Sequence, residues 1–484
     1  MSNQLAKKAA RRVNGKESFS LLSAIRNGGP IAWISCLVMG FGNFASMQFV
    51  KGFIFLAIEA VFIWFMFITP KGGMYWVKNL FPLAQKERTP NVINHPILGE
   101  VIEGYTETGE YSHITLLYAV TTLALCAVFI FVWRMSVTSG YRAQFLKKAG
   151  KRVNSFIDDV KDLFDSKIHN LLMTPPIVGI FVFTLLPLIY MMCMAFTDYD
   201  RNHLDNNFAW VGFDNFLNIL SFNSTIGKQF WSVLGWTLVW AFFATFLNFF
   251  MGTFVAMIIN RKTTRLKDFW RGCLSVTIAV PQFVSLLLMR SMLGDDGILN
   301  RMMIEAGWVE WIKDALPFIG NVIGPRKYIP FLSDRTFARC TVIIINLWVG
   351  IPYTIMQVTG ILKNIPADLY EAARIDGANP LQQFMNITLP YMIFVMTPYM
   401  ITSFTGNINN FGVIYLLSGG NPTVTGNSAG ETDLLVTWLY KLSVDMKDYN
   451  IGAVIGILTF IVLASVSLIT YRSSGSYKDE EGFK

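Results

Sequence analysis

Charge is what this chain has least of. Lys, Arg, Asp and Glu make up 15% of its 484 residues, against about a quarter in a soluble domain. Hydrophobic residues make up 53% and the mean hydropathy is +0.44, so much of the surface is solvated by something other than water. The net charge of +8 does not form a nucleic-acid-binding face. It gathers in short stretches beside apolar segments, the pattern of a membrane protein. Reactive motifs are missing too. Without a G-x-x-x-x-G-K-[ST] loop the chain does not bind and split ATP by that route. There is no HExxH, no GxSxG and no paired-carboxylate cluster, so no catalytic residue is assigned. The five cysteines (Cys36, Cys126, Cys193, Cys273, Cys340) lie in or beside apolar segments without CxxC spacing, which excludes a disulfide framework or a thiolate metal site. The four histidines are scattered, and no metal is expected.

What is abundant is long apolar runs. A spanning helix needs about 20 mostly apolar residues, and segments near 50–68, 114–134, 175–197, 229–259, 271–293, 338–360, 391–416 and 451–471 meet that test. A further stretch, 31–48, is interrupted by Gly40, Gly42 and Asn43. Nothing there reads as a cleavage site, so the N-terminus reads as retained. Lys7, Lys8, Arg11, Arg12, Lys16 and Arg26 face only Glu17 within residues 1–30; 134–170 and 261–271 are also rich in basic residues. Positive residues in short loops stay cytoplasmic, which puts these stretches inside and loop 198–228 outside. An even number of crossings must then separate the N-terminus from 134–170, leaving 31–48 as a re-entrant or interfacial piece. The expected fold is all-α, with eight transmembrane helices and both ends cytoplasmic. Residues 1–134 hold the basic head and two spans, 135–174 a cytoplasmic linker, 175–471 a six-span core and 472–484 a tail.

Ionisable residues inside the spans are few. Glu59 lies well inside 50–68 and Arg290 near the outer end of 271–293. Such residues are functional candidates by default, but an ion-coupled carrier needs several acids in its core helices, and this core has almost none. Glu59 reads as a group with a structural partner in the N-terminal part. Energy must come from outside the chain.

Two features remain for function. Residues 361–390 form a cytoplasmic loop with a short helix from Pro366 to Ile375 ended by Asp376-Gly377, and a second that follows Pro380 and ends at Leu389-Pro390. This is either an ordinary connection or a compact knob too polar for lipid. In span 338–360, Asn346, Gly350 and Tyr353 share one helical face beside Pro352; in 391–416, Ser403, Asn407 and Asn410 repeat the spacing. Two polar stripes at membrane depth fit helix–helix hydrogen bonding. They equally fit a sugar, whose hydroxyls match amides and whose C–H faces match aromatics such as Trp348, Tyr353 and Phe404.

The sequence also carries a resemblance. Glu371-Ala372-Ala373, then Gly377, and Ile387-Thr388-Leu389-Pro390 resemble the EAA loop of binding-protein-dependent ABC importer permeases. From Asn346 through the last span the chain resembles the larger membrane subunit of maltose/maltodextrin importers. The matching stretches are Asn346-Leu-Trp-Val-Gly350-Ile-Pro-Tyr353, Ile365-Pro-Ala-Asp-Leu-Tyr-Glu371-Ala, Ser403-Phe-Thr-Gly-Asn407-Ile-Asn-Asn410-Phe and Thr432-Asp-Leu-Leu-Val436.

The resemblance implies a type I ABC importer core, in the bacterial cytoplasmic (inner) membrane, paired with a homologous second permease and seated on two ATP-binding subunits. ATP and Mg belong to those subunits, and this chain has no cofactor. An extracellular or periplasmic binding protein delivers maltodextrin or a similar oligosaccharide, with another sugar or polyol as the alternative cargo. It also implies that Asn346, Gly350, Tyr353, Ser403, Asn407 and Asn410 line a sugar pocket. Glu371, Ala372, Ala373, Asp376, Gly377, Leu389 and Pro390 would couple to the ATPase, with Glu371 as a charged contact, the alanines permitting close approach and Gly377 supplying the bend. Two departures stand out. Loop 198–228 is too short for the folded external domain of the enteric relative, and the first 134 residues match only in layout.

Overall fold

In hydrocarbon every backbone N–H and C=O must be paired within the segment, so apolar runs of this length fold as helices. The computed structural model describes residues 19–83, 86–95, 99–203, 207–261 and 263–473. The head residues Lys7, Lys8, Arg11, Arg12 and Lys16 and the tail beyond residue 473 lie outside the described residues. The chain divides into two compact units, Met1–Gly212 and Phe213–Lys484.

The first unit holds three long apolar helices, α1 (Phe49–Ile68), α2 (Ser112–Lys148) and α3 (Ile168–Met194). At 37 residues, α2 is about 55 Å long, longer than a bilayer is thick, so it runs on through the first part of the expected linker. No continuous helix covers 31–48. Gly29–Leu37 and Phe41–Ala45 are separate helices, broken at Gly40, whose φ is +81° and whose missing Cβ would lie 2.4 Å from the Gly52 carbonyl oxygen. Both facts require glycine. This broken piece packs on α2 through bonds from Gly40 N–H to Ser136 Oγ and from Asn43 Nδ2 to Ser139 Oγ. Glu59 finds its partner here, accepting the Met39 N–H at 2.8 Å.

Between α1 and α2 the chain forms an antiparallel hairpin, β1 (Glu87–His95) and β2 (Gly99–Thr108). No periodicity announced it. Pro90 sits inside the first strand, and Glu103 is an extra residue on the second, between the pairs Asn91–Gly104 and Val92–Ile102.

The second unit carries α4 (Thr225–Asn260), α5 (Lys267–Ala279), α6 (Gln282–Met292), α7 (Arg335–Asn364), α8 (Ala367–Ile375), α9 (Pro380–Ile408) and α10 (Tyr449–Ser473). The expected single span 271–293 is two helices, α5 and α6, bent by 89°. Pro281 offers no N–H, and the residue before a proline avoids the helical region; Val280 is accordingly extended, at φ −80° and ψ 125°. Counting this pair as one span, the described residues hold eight membrane-spanning segments.

The expected stop at Leu389-Pro390 is also absent. The helix continues through it, with a π-helical turn at Phe384–Thr388 just upstream of the donor-less proline. Helices α4 and α7 form the most extensive helix pair. Two reciprocal seats set their approach: Asn248 of α4 lies against Gly350 of α7, and Thr354 of α7 against Gly252 of α4. A Cβ on either glycine would come within 2.5–2.6 Å of the opposing side chain, so both positions must stay small for the backbones to lie this close.

Candidate functional site

The helices α4, α7 and α9 enclose a recess of about 360 Å³. Apolar layers flank it along the helices on either side. One is built on Trp240, Ala244, Val342 and Ile408, the other on Phe249, Ile355, Val358 and Met396. Between the layers all three helices turn polar residues inward. Asn346, Gly350, Tyr353, Ser403, Asn407 and Asn410 all line the recess, so the two stripes expected from spacing meet across one space. Thr245, Asn248, Phe249, Gln357 and Tyr399 line it too. The contribution of α4 was missed, although Thr245 and Asn248 interrupt an otherwise apolar run. Of the aromatics expected there, only Tyr353 takes part. Trp348 is two residues from Asn346 and therefore on another side of α7, and Phe404 packs into the apolar layer. Phe249 and Tyr399 supply ring surface instead.

The polar groups divide into satisfied and unsatisfied ones. Asn407 donates from Nδ2 to Thr245 Oγ1 at 3.1 Å, and its carbonyl accepts from Trp240 Nε1 at 3.0 Å. Asn410 donates to Asn407 Oδ1 at 3.3 Å while its own Oδ1 accepts the Val413 N–H. These bonds join helices. By contrast the side chains of Asn346, Tyr353, Gln357 and Ser403 make no hydrogen bond among the described residues. Asn346 is only 6% exposed, and Asn248 Oδ1 is buried with no donor. A buried amide left unpaired costs about 1–3 kcal/mol, an arrangement suited to a ligand that brings hydroxyls. Among the described residues no carboxylate, lysine, histidine or cysteine lines the recess. Its amides, hydroxyls and ring faces can bind and orient a neutral polyhydroxylated molecule.

The loop 361–390 is an exposed two-helix knob. Helix α8 has no buried residue. It ends where Ala378 N–H reaches back to the Ala373 carbonyl at 2.8 Å and Gly377 N–H to Arg374, with Gly377 at φ +78° and no atom within 4 Å of its missing Cβ. Glycine is needed there for conformation, not space. A capping box of Asn379 and Gln382 opens α9. Tyr370 and Thr388 hydroxyls, 2.8 Å apart, tie the two helices together. Glu371, Ala372 and Asp376 lie on the open surface; Ile375, 87% exposed, and Leu381 add apolar area. None of the motif residues is among those that line the recess.

Comparison with known proteins agrees over nearly the whole chain. The family model described as binding-protein-dependent transport system inner membrane component matches residues 248–474, which include α7, the knob and α9. The galactooligosaccharides transport system permease protein GanP of Bacillus subtilis is 31% identical over 93% of this chain and 99% of that protein. The maltodextrin transport system permease protein MalC of Streptococcus pneumoniae is 31% identical over 92% of this chain and 96% of its own length. The maltose/maltodextrin transport system permease protein MalF of Escherichia coli is 34% identical but over only 54% of this chain and 49% of itself. The crystal structure of a bacterial ABC transporter for alginate import shares the fold, with a TM-score of 0.51 and 22% identity over 65% of this chain and 96% of that one. Fold, knob and full-length kinship together make this chain a multi-pass membrane permease of the binding-protein-dependent ABC sugar-importer family.

Proposed function

We propose that this permease carries malto-oligosaccharides or closely similar short neutral oligosaccharides, and that the recess between α4, α7 and α9 holds them in transit. The observation that carries the reading is the set of unpaired polar side chains, Asn346, Tyr353, Gln357 and Ser403, gathered at mid-helix beside the further polar lining residues Thr245, Asn248, Asn407 and Asn410. A structural polar cluster would be internally bonded; this one is left open to a guest. The relatives named for maltodextrin and galactooligosaccharides support the same class of cargo.

The mechanism that follows is alternating access. A homologous second permease completes the cavity, and two ATP-binding subunits, which hold ATP and Mg, grip the knob. Glu371 makes the charged contact, Ala372 and Ala373 permit close approach, and the bend at Gly377 relays closure through Asp376 along the first turns of α9 to Leu389-Pro390. Both termini are cytoplasmic, and residues 135–174, although largely helical, serve as the cytoplasmic connection between the first two spans and the six-span core. An external binding protein delivers the sugar to the recess.

The test is uptake of labelled maltotriose and of a panel of galacto-oligosaccharides and polyols in cells lacking this permease, restored with wild type or Asn346→Ala. Uptake of one oligosaccharide class that returns with wild type and stays low with the variant supports the reading. Polyol uptake alone would reassign the cargo.

A further inference from the structure

Loop 198–228 leaves no room for an external domain to hold a binding protein, yet the connection between α1 and α2 on that same side of the chain is well built. An isolated two-stranded hairpin is marginal in water, and β1–β2 is braced at its base. Asn207 clamps Lys86 from both sides, accepting its N–H at 3.1 Å and donating to its carbonyl at 3.0 Å. Trp210 Nε1 donates to the Leu80 carbonyl at 2.8 Å and Phe208 N–H to Ser112 Oγ at 3.1 Å. Ion pairs Lys86–Glu107 and Lys71–Glu110 close the same corner. The segment after α3 thus serves as a buttress for the hairpin.

Its exposed surface is specific. Val92 and Ile102 face each other across the strands and are 50% and 53% exposed, an apolar pair raised clear of the core. In sequence the segment 86–110 carries Glu87, Glu100, Glu103, Glu107 and Glu110 against Lys86 and Arg88, so 2 − 5 gives a local charge of −3 in a chain whose net charge is +8; Glu87 is exposed, while Glu107 and Glu110 are engaged by Lys86 and Lys71. A segment of net negative charge repels anionic lipid headgroups and attracts a protein that carries basic residues around an apolar spot.

We infer that the β1–β2 hairpin is the docking face on this subunit for the soluble sugar-binding protein, which meets the Val92–Ile102 pair and presents lysines or arginines to the glutamates. The inference rests on the importer reading for its orientation and its partner, and is independent of which sugar is carried.

The test uses the whole transporter in lipid nanodiscs, titrated with its sugar-loaded binding protein while ATP hydrolysis is followed. Val92→Ser/Ile102→Ser is expected to raise the half-stimulating concentration of binding protein tenfold or more, with basal hydrolysis unchanged. Glu87→Lys, an exposed single change that leaves the base clamp intact, is expected to raise it severalfold, an effect that shrinks as salt is added. Equal half-stimulating concentrations in wild type and both variants would overturn the inference. A wrong cargo is distinguishable, because it abolishes stimulation of the wild type itself. Labelling of Val92→Cys by a membrane-impermeant thiol reagent only from the cytoplasmic side would also overturn it.

Discussion

Two polar regions of the second unit put their polar side chains to opposite ends. In the connection between α9 and α10, Asp433 is fully buried but saturated. It accepts from Gly430 N–H at 2.7 Å, Thr437 Oγ1 at 2.9 Å and Lys441 Nζ at 2.6 Å. Ser418 and Thr432 pair beside it at 2.9 Å, and Arg335 and Arg339 both reach Glu431. Gly420, at φ +81°, leaves the carboxylate its space, since a Cβ there would sit 2.1 Å from Asp433 Oδ1. In the recess, Asn346, Ser403, Tyr353 and Gln357 have no such partners. The saturated cluster holds the chain's shape, and the unsaturated one is available. Satisfaction of hydrogen bonds, more than polarity, is what distinguishes the two regions and what marks the recess as the proposed sugar site.

The contrast breaks most visibly at the saturated cluster. Asp433→Ala strands the Lys441 ammonium, and removing one partner of a buried pair costs about 3–5 kcal/mol. The expected outcome is loss of assembled transporter, read by thermal unfolding of the purified complex. Full yield with an unchanged melting temperature would dissolve the distinction. Gly350→Ala should come next. Its methyl would collide with Asn248 and force α4 from α7, lowering both stability and uptake. Asn248→Ala in the same chain should restore much of the stability, and a double-mutant cycle reads this coupling.

Asn346→Ala is expected to do the reverse of Asp433→Ala, leaving the melting temperature close to that of wild type because it breaks no native hydrogen bond, while uptake falls roughly tenfold, the factor for about 1.4 kcal/mol of lost sugar contact. Asn407→Ala sits between, because it loses the bond to Thr245, worth about 1 kcal/mol, as well as a lining group. Gly377→Ala acts outside the recess altogether. A left-handed alanine costs about 1–2 kcal/mol, paid on an exposed turn, and shows chiefly as ATP hydrolysis no longer matched by uptake.

Much of this was legible in the chain. The stripes Asn346/Gly350/Tyr353 and Ser403/Asn407/Asn410 stood out because a polar residue in a spanning run is costly and their spacing put each set on one face. The third wall was harder to read. Thr245 and Asn248 make only a pair, too few to define a stripe. Trp348 and Phe404 were chosen for ring chemistry without regard to angle, and the 200° turn over two helical residues carries Trp348 away from the recess. The bend at Val280-Pro281 was written in the proline but masked by the apolar residues around it. The hairpin escaped because Pro90 and the extra Glu103 spoil strand alternation, and its stability comes from Asn207 and Trp210, more than a hundred residues downstream. That tertiary contact has no local signature.

The most direct test of the central claim is sugar uptake by the reconstituted transporter at saturating binding protein, comparing wild type with Asn346→Ala. The expected result is an assembled variant with normal basal ATP hydrolysis and uptake reduced about tenfold. Uptake equal to wild type from the same amount of assembled complex would contradict the assignment of the recess as the sugar site.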